Sequence, residues 1–131
     1  MYGYDKVFDE NVDTMTVYSH IGKEIVKGVT EGINGTIFAY GQTSSGKTHT
    51  MLGTGREVGI LSLAAADVFN HISNCPTRDF LLRVSFVEIY NENIRDLLSD
   101  SPTDSKESFV AIREPMYVSM FKNLPLLGLG T

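Results

Sequence analysis

The chain has 131 residues, 42% hydrophobic and 21% charged, an ordinary globular composition with room for one domain at most. A net charge of −5 and a pI near 5.1 give no basic surplus, so neither nucleic acid nor an acidic membrane surface is an expected partner. The single cysteine, Cys75, excludes an intramolecular disulfide, and no apolar run approaches 18 residues or has signal-peptide form, so a soluble intracellular protein is expected.

Taken in order, Tyr2 to Phe8 sets Tyr2, Tyr4, Val7 and Phe8 among charges and reads as an edge strand. From Asp13 on, Tyr18, Ile21, Ile25 and Val29, joined by Met15 and Val26, recur at helical spacing, with Asp13 or Thr14 as N-cap and Gly32 as the stop. Gly22 and Gly28 weaken this helix by about 1 kcal/mol each, so packing must stabilise it. After the turn pair Asn34 and Gly35, the β-branched and aromatic run Thr36 to Tyr40 predicts a buried strand.

That strand leads into Gly41, Gln42, Thr43, Ser44, Ser45, Gly46, Lys47 and Thr48, which satisfies G-x-x-x-x-G-K-[ST]. Thr48 to Leu52 then fits one or two helical turns closed by Gly53. Strand, glycine loop and helix form the context in which this motif binds phosphate. Gly41 and Gly46 allow backbone angles that turn consecutive N–H groups inward around an anion. Lys47 can reach the β and γ oxygens, the Thr48 hydroxyl can ligate Mg²⁺, and the following helix directs its positive end at the same charge. The expected ligand is a nucleoside triphosphate with magnesium. The alternative is a glycine-rich strand-to-helix turn that binds nothing.

Beyond the loop, Gly53 to Gly59 reads as a glycine-punctuated surface loop with Arg56 solvated. Leu61, Ala65, Val68, Phe69 and Ile72 mark the buried face of a second helix, ended by Ser73, Asn74, Cys75 and Pro76. Asp67 falls inside that helix as a solvated residue. Cys75 reads as a loop thiol, since no histidine pairs with it in a recognisable arrangement. Phe80 to Tyr90 is the longest strand candidate, apolar at both parities near its start, and is expected at the centre of a sheet. Asn91 is a candidate cap for a short helix carrying Ile94, Leu97 and Leu98 on one face. Ser99 to Ser108 is a polar loop, and Phe109 to Ile112 a last strand before Arg113, Glu114 and Pro115.

Val7, Phe8 and Asp9, the run Gly35 to Met51, Glu88 to Glu92, and Asp96 to Leu98 together resemble the kinesin motor domain. Phe80 to Ser85 further resembles the centromere protein E type of kinesin. The resemblance covers about residues 2 to 115, an early portion of that domain, and implies an α/β fold: a partial P-loop NTPase (kinesin motor) sheet with flanking helices. It implies ATP as nucleotide, Mg²⁺ as cofactor, microtubules (tubulin) as track, and a cytoplasmic, cytoskeletal location. Gly41 to Thr48 would bind the phosphates and Mg²⁺, His49 would lie near the adenine, and Gly53 to Gly59 matches the family's variable loop beside the pocket.

Departures from the pattern set further expectations. The family's opening strand with its arginine and proline motif, its S-S-R-S-H switch and its D-L-A-G-S-E switch do not occur in this sequence. Ser62 stands where many members have proline. Residues 116–131 cease to follow the family and are expected to be a divergent tail, leaving 1–115 as the partial motor domain. The expected function is the ATP-binding part of a microtubule motor; the alternative is a truncated nucleotide-binding or interaction fragment without motor activity, and turnover by this chain alone is not expected. An unrelated P-loop NTPase such as a small kinase fits poorly with the match at Glu88 to Glu92. Uncovered strands such as Ile37 to Tyr40 and Phe80 to Val84 would leave apolar surface, so a marginally folded or poorly soluble chain is expected.

Overall fold

The computed structural model describes residues 3–100. Two units separate, Met1–Phe80 and Leu81–Thr131. The expected strand at 109–112 and the tail at 116–131 lie outside the described residues.

In the first unit Asp13 starts the helical layer as anticipated. Its side chain accepts from the Thr16 N–H at 2.7 Å, capping α1 (Thr14–Val17), and hydrogen bonding from Thr16, first by its side chain and then by this N–H, holds the carboxyl below the ordinary value. The helix does not run straight on. It passes through one π-helical turn (Tyr18–Gly22), closed by the Lys23 N–H on the Tyr18 carbonyl, into α2 (Lys23–Thr30). Gly22 is more than a weak helix residue: a Cβ there would stand 2.4 Å from Cδ2 of the Tyr18 ring. Gly32, at φ +94°, ends the helix with its own N–H on Val29 O and that of Ile33 on Gly28 O.

The glycine loop opens α3 (Lys47–Leu52), and α4 (Ile60–Ser73) follows. Tyr18, Val26 and Ile60 are the buried hydrophobic centre, with Ile37, Met51, Leu63, Ala64 and Val68 packed around them. Burial of Val26 and Ile60 contributes about 1.5–3 kcal/mol each. The inward face of α4 runs through Ile60, Leu63, Ala64, Val68 and Ile72: of the expected face Leu61, Ala65, Val68, Phe69 and Ile72, Val68 and Ile72 are covered, whereas Leu61, Ala65 and Phe69 are exposed. Asp67 shares that face. It is half-buried on the inward face, where its carboxylate accepts from the Tyr18 hydroxyl at 2.8 Å, so it is not the solvated residue expected. A carboxylate with a partner can turn inward.

Two expected strands of this unit are not strands. Gly3 to Phe8 is irregular, and Thr36 to Tyr40 is hydrogen-bonded to no strand among the described residues. The latter keeps strand-like alternation: Ile37 and Ala39 are half-covered, whereas Phe38 and Tyr40 are 80% and 95% exposed. Ladder hydrogen bonds come from neighbouring strands, and none lies beside it there.

The stretch Phe80 to Tyr90, all but its first residue in the second unit, is not a long central strand. Only β1 (Val87–Tyr90) forms, exposed throughout, antiparallel to β2 (Asn93–Asp96) with Val87 opposite Asp96 and Tyr90 opposite Asn93. β2 replaces the helix expected after Asn91. Asn91 and Glu92 have φ of 47° and 62°, the two left-handed positions of a type I′ turn, so Asn91 turns a hairpin instead of capping a helix. The hairpin continues where the Leu97 N–H donates to Phe86 O at 2.8 Å.

Candidate nucleotide site

Ile37 before the loop and Met51 after it both rest on the buried centre, so the segment between them is held at each end by packing. Within it Ser44 and Gly46 take left-handed backbone, φ 63° and 90°, and the Ser45 N–H closes a turn on Gln42 O at 3.3 Å. Gly46 is the residue that needs to be glycine for conformational reasons. Gly41 is not: its φ is not positive, and what a side chain there would meet is the Ser45 hydroxyl, 2.4 Å from its Cβ. The loop is tighter at Gly41 and more twisted at Gly46 than equal roles for the two glycines imply.

Lys47 begins α3 and folds back across the loop. Its Nζ donates to Gly41 O at 2.8 Å and to Gln42 O at 2.6 Å. The ammonium is thereby pinned in the concavity, with charge-assisted bonds that exchange readily for stronger anionic acceptors. Ser44, Ser45, Gly46, Lys47, Thr48 and His49 line a cavity of about 300 Å³. Six of the nine expected site residues thus share one wall, Gly41 and Gln42 supply carbonyls to the lysine, and Thr43 is exposed.

A larger cavity, about 570 Å³, shares Ser45, Gly46 and His49 with the first and is completed by residues of the 8–14 segment, Val17, Thr50 and Glu57. Glu57 has no motif to announce it. It reaches His49 from the 53–59 loop, Oε2 to Nε2 at 3.1 Å. That loop is a small closed hairpin: Gly53 bridges Val58, the Thr54 N–H donates to Glu57 O at 2.8 Å, and Thr54 Oγ1 accepts from the N–H groups of Arg56 and Glu57. Gly53 and Gly59 meet backbone to backbone, a Cβ on Gly59 standing 2.3 Å from the Leu52 carbonyl carbon. Arg56 is exposed, as expected.

Elsewhere in this unit Tyr18 has its hydroxyl pKa raised above 10, first by burial and then by its bond to Asp67. Cys75 has a histidine neighbour after all, His71 Nε2 at 3.7 Å from its Sγ, one helical turn back along α4. No group of three or more metal-binding side chains occurs among the described residues, and no helix there is long and apolar enough to cross a membrane. In the second unit Glu88, Tyr90, Asn93 and Arg95 share the polar face of the hairpin and line a separate cavity of about 320 Å³.

The kinesin motor domain profile matches residues 1–124. The chain belongs to the kinesin motor domain family. Its α/β class follows, a partial P-loop NTPase fold in which the helices and the hairpin are present. The match extends past Pro115. Kinesin-like protein KIN-7K, chloroplastic, of Oryza sativa subsp. japonica is 59% identical over 129 residues, covering 98% of this chain and 12% of the relative. The chloroplastic KIN-7K of Arabidopsis thaliana is 46% identical over 136 residues, 98% and 14% respectively. The mitochondrial KIN-7C of Arabidopsis thaliana is also 46% identical, with 98% of this chain and 15% of the relative covered. The chain thus spans about one seventh or less of these relatives, whose names say KIN-7 and not centromere protein E.

Proposed function

We propose that the chain is the nucleotide-binding part of a microtubule motor, holding ATP and Mg²⁺ at Gly41 to Thr48. The observation that carries this is Lys47, whose ammonium is held inside the loop by two carbonyls beside a polar cavity of about 300 Å³. The residues fit the group. Gly46 combines φ +90° with nothing within 4 Å of where a Cβ would stand, an open position that a backbone alone can occupy. Lys47 would hold the β and γ oxygens, Ser44 to Thr48 would present backbone donors, and the Thr48 hydroxyl would ligate the metal. Mg²⁺ supplies charge neutralisation across the phosphates when bound. His49 borders the non-phosphate part of the ligand.

By family membership the partner is the microtubule, with a cytoplasmic, cytoskeletal setting and neither nucleic acid nor membrane as target. The boundary we propose is residues 1–115 for the partial motor domain and 116–131 for a divergent tail, into which the family match runs as far as residue 124. The finer placement with the centromere protein E type rests on Phe80 to Ser85. A second reading, a nucleotide-binding or interaction fragment without motor activity, is favoured by the exposure of Phe38 and Tyr40.

The test has two arms. Calorimetry with MgATP should show binding that Lys47→Ala abolishes; equal affinity in both proteins would refute the site. ATP turnover with and without microtubules, for this chain and for one extended through both switch segments, separates the readings. Stimulation confined to the longer chain assigns motor activity to the whole protein and binding alone to this part.

A further inference from the structure

Resting on the nucleotide assignment above, we infer that Glu57 is a positioning residue for that site, acting through His49. His49 borders both cavities, the small one at the phosphate loop and the larger one continuing from it, so its ring stands where a ligand passes from one to the other. Nothing on α3 itself holds that ring. Glu57 does, with Oε2 at 3.1 Å from Nε2. A carboxylate only accepts, so Nε2 carries the hydrogen and the ring orientation is set by the partner.

The carboxylate is in turn held by a stiff support. The hairpin under it is closed by the Gly53 to Val58 bridge and by three hydrogen bonds centred on Thr54. It is anchored at both ends, since Gly53 caps α3 and Gly59 precedes α4. A side chain on this hairpin therefore keeps its distance from α3, and Glu57 itself forms part of the wall of the larger cavity but not of the smaller. The consequence is selective. Loss of Glu57 frees the His49 ring to occupy the passage and weakens a ligand that extends beyond its phosphates, while a ligand made of phosphates alone, held by Lys47 and the loop, is untouched.

The experiment measures affinity of the full chain for MgATP and for Mg-tripolyphosphate in wild type, Glu57→Ala, Glu57→Gln and Lys47→Ala. The pair is about half exposed, so the effect is modest: a loss of about 2–5-fold for MgATP in Glu57→Ala, as for exposed charge pairs. Tripolyphosphate affinity should not change, and Glu57→Gln, which keeps an acceptor oxygen, should restore MgATP binding to within about 1.5-fold. Wild-type affinity in Glu57→Ala, an equal loss for both ligands, or a Gln variant as weak as the Ala variant would each overturn the proposal. Unchanged MgATP affinity in Lys47→Ala would instead overturn the phosphate-loop assignment on which it rests.

Discussion

Two glycines of one helical layer should respond oppositely to alanine. Glycine inside a helix costs about 1 kcal/mol relative to alanine, so from propensity alone both Gly22→Ala and Gly28→Ala stabilise. At Gly28 the new Cβ would meet only Ile33, at 3.8 Å, an ordinary contact, and the gain of about 1 kcal/mol should be realised. At Gly22 it would stand 2.4 Å from Cδ2 and 2.8 Å from Cε2 of Tyr18. That ring cannot swing away freely: it is 5% exposed and its hydroxyl is fixed to Asp67 at 2.8 Å. Overpacking of this kind costs about 1–3 kcal/mol, which outweighs the propensity gain and leaves a net loss of about 1 kcal/mol. The two variants should differ by about 2 kcal/mol in urea unfolding followed by helical circular dichroism. Shifts of the midpoint in the same direction would show that the Tyr18 ring does not rest on Gly22.

Thr48→Ala should weaken ATP binding in Mg²⁺ and much less in chelator, because the hydroxyl acts through the metal; calorimetry under both conditions decides it, equal losses speaking against that role. Tyr18→Phe should destabilise by about 1–2 kcal/mol in urea unfolding, since Asp67 loses its donor. The raised Tyr18 pKa makes the wild-type contribution constant below pH 10 and lost as pH rises above it, because the unfolded chain then releases a proton that the folded one keeps. The Phe variant should lack that alkaline slope. Glu92→Gly should stabilise the hairpin by about 1 kcal/mol by relieving φ 62° on a side-chain-bearing residue, read as slower exchange of the Leu97 amide, and faster exchange would contradict the type I′ turn.

What was legible in the sequence was local. The Asp13 cap, the Gly32 stop and the tight backbone turn of the loop from Gly41 to Thr48 each depend on residues within a turn or two of one another, so their local form is readable without a partner. Asn91 shows where local reading divides, because asparagine serves equally as helix cap and as left-handed turn residue, and Ile94, Leu97 and Leu98 imitate helical spacing. Pairing lay further away. Asp67 looked solvated because the hydroxyl that pairs with it inside is 49 positions earlier. Glu57 was invisible because it lies eight positions from His49 and only the closed hairpin brings them together. Thr36 to Tyr40 and Phe80 to Tyr90 were assigned as strands by composition, yet a ladder needs neighbours that composition does not supply.

The backbone contact between Gly53 and Gly59 separates the length of the connecting segment from the placement of what it connects. Since the clasp and the Gly53 to Val58 bridge set the spacing of the two helix ends, residues added between Gly55 and Arg56 lengthen the loop at the expense of the Thr54 hydroxyl bonds to Arg56 and Glu57, without pushing on either helix. Doubling a loop's length costs only about 0.6 kcal/mol in closure entropy. A fluorescent tag or an epitope inserted there would therefore report from the rim of the cavity while Lys47 and its carbonyl partners stay in register.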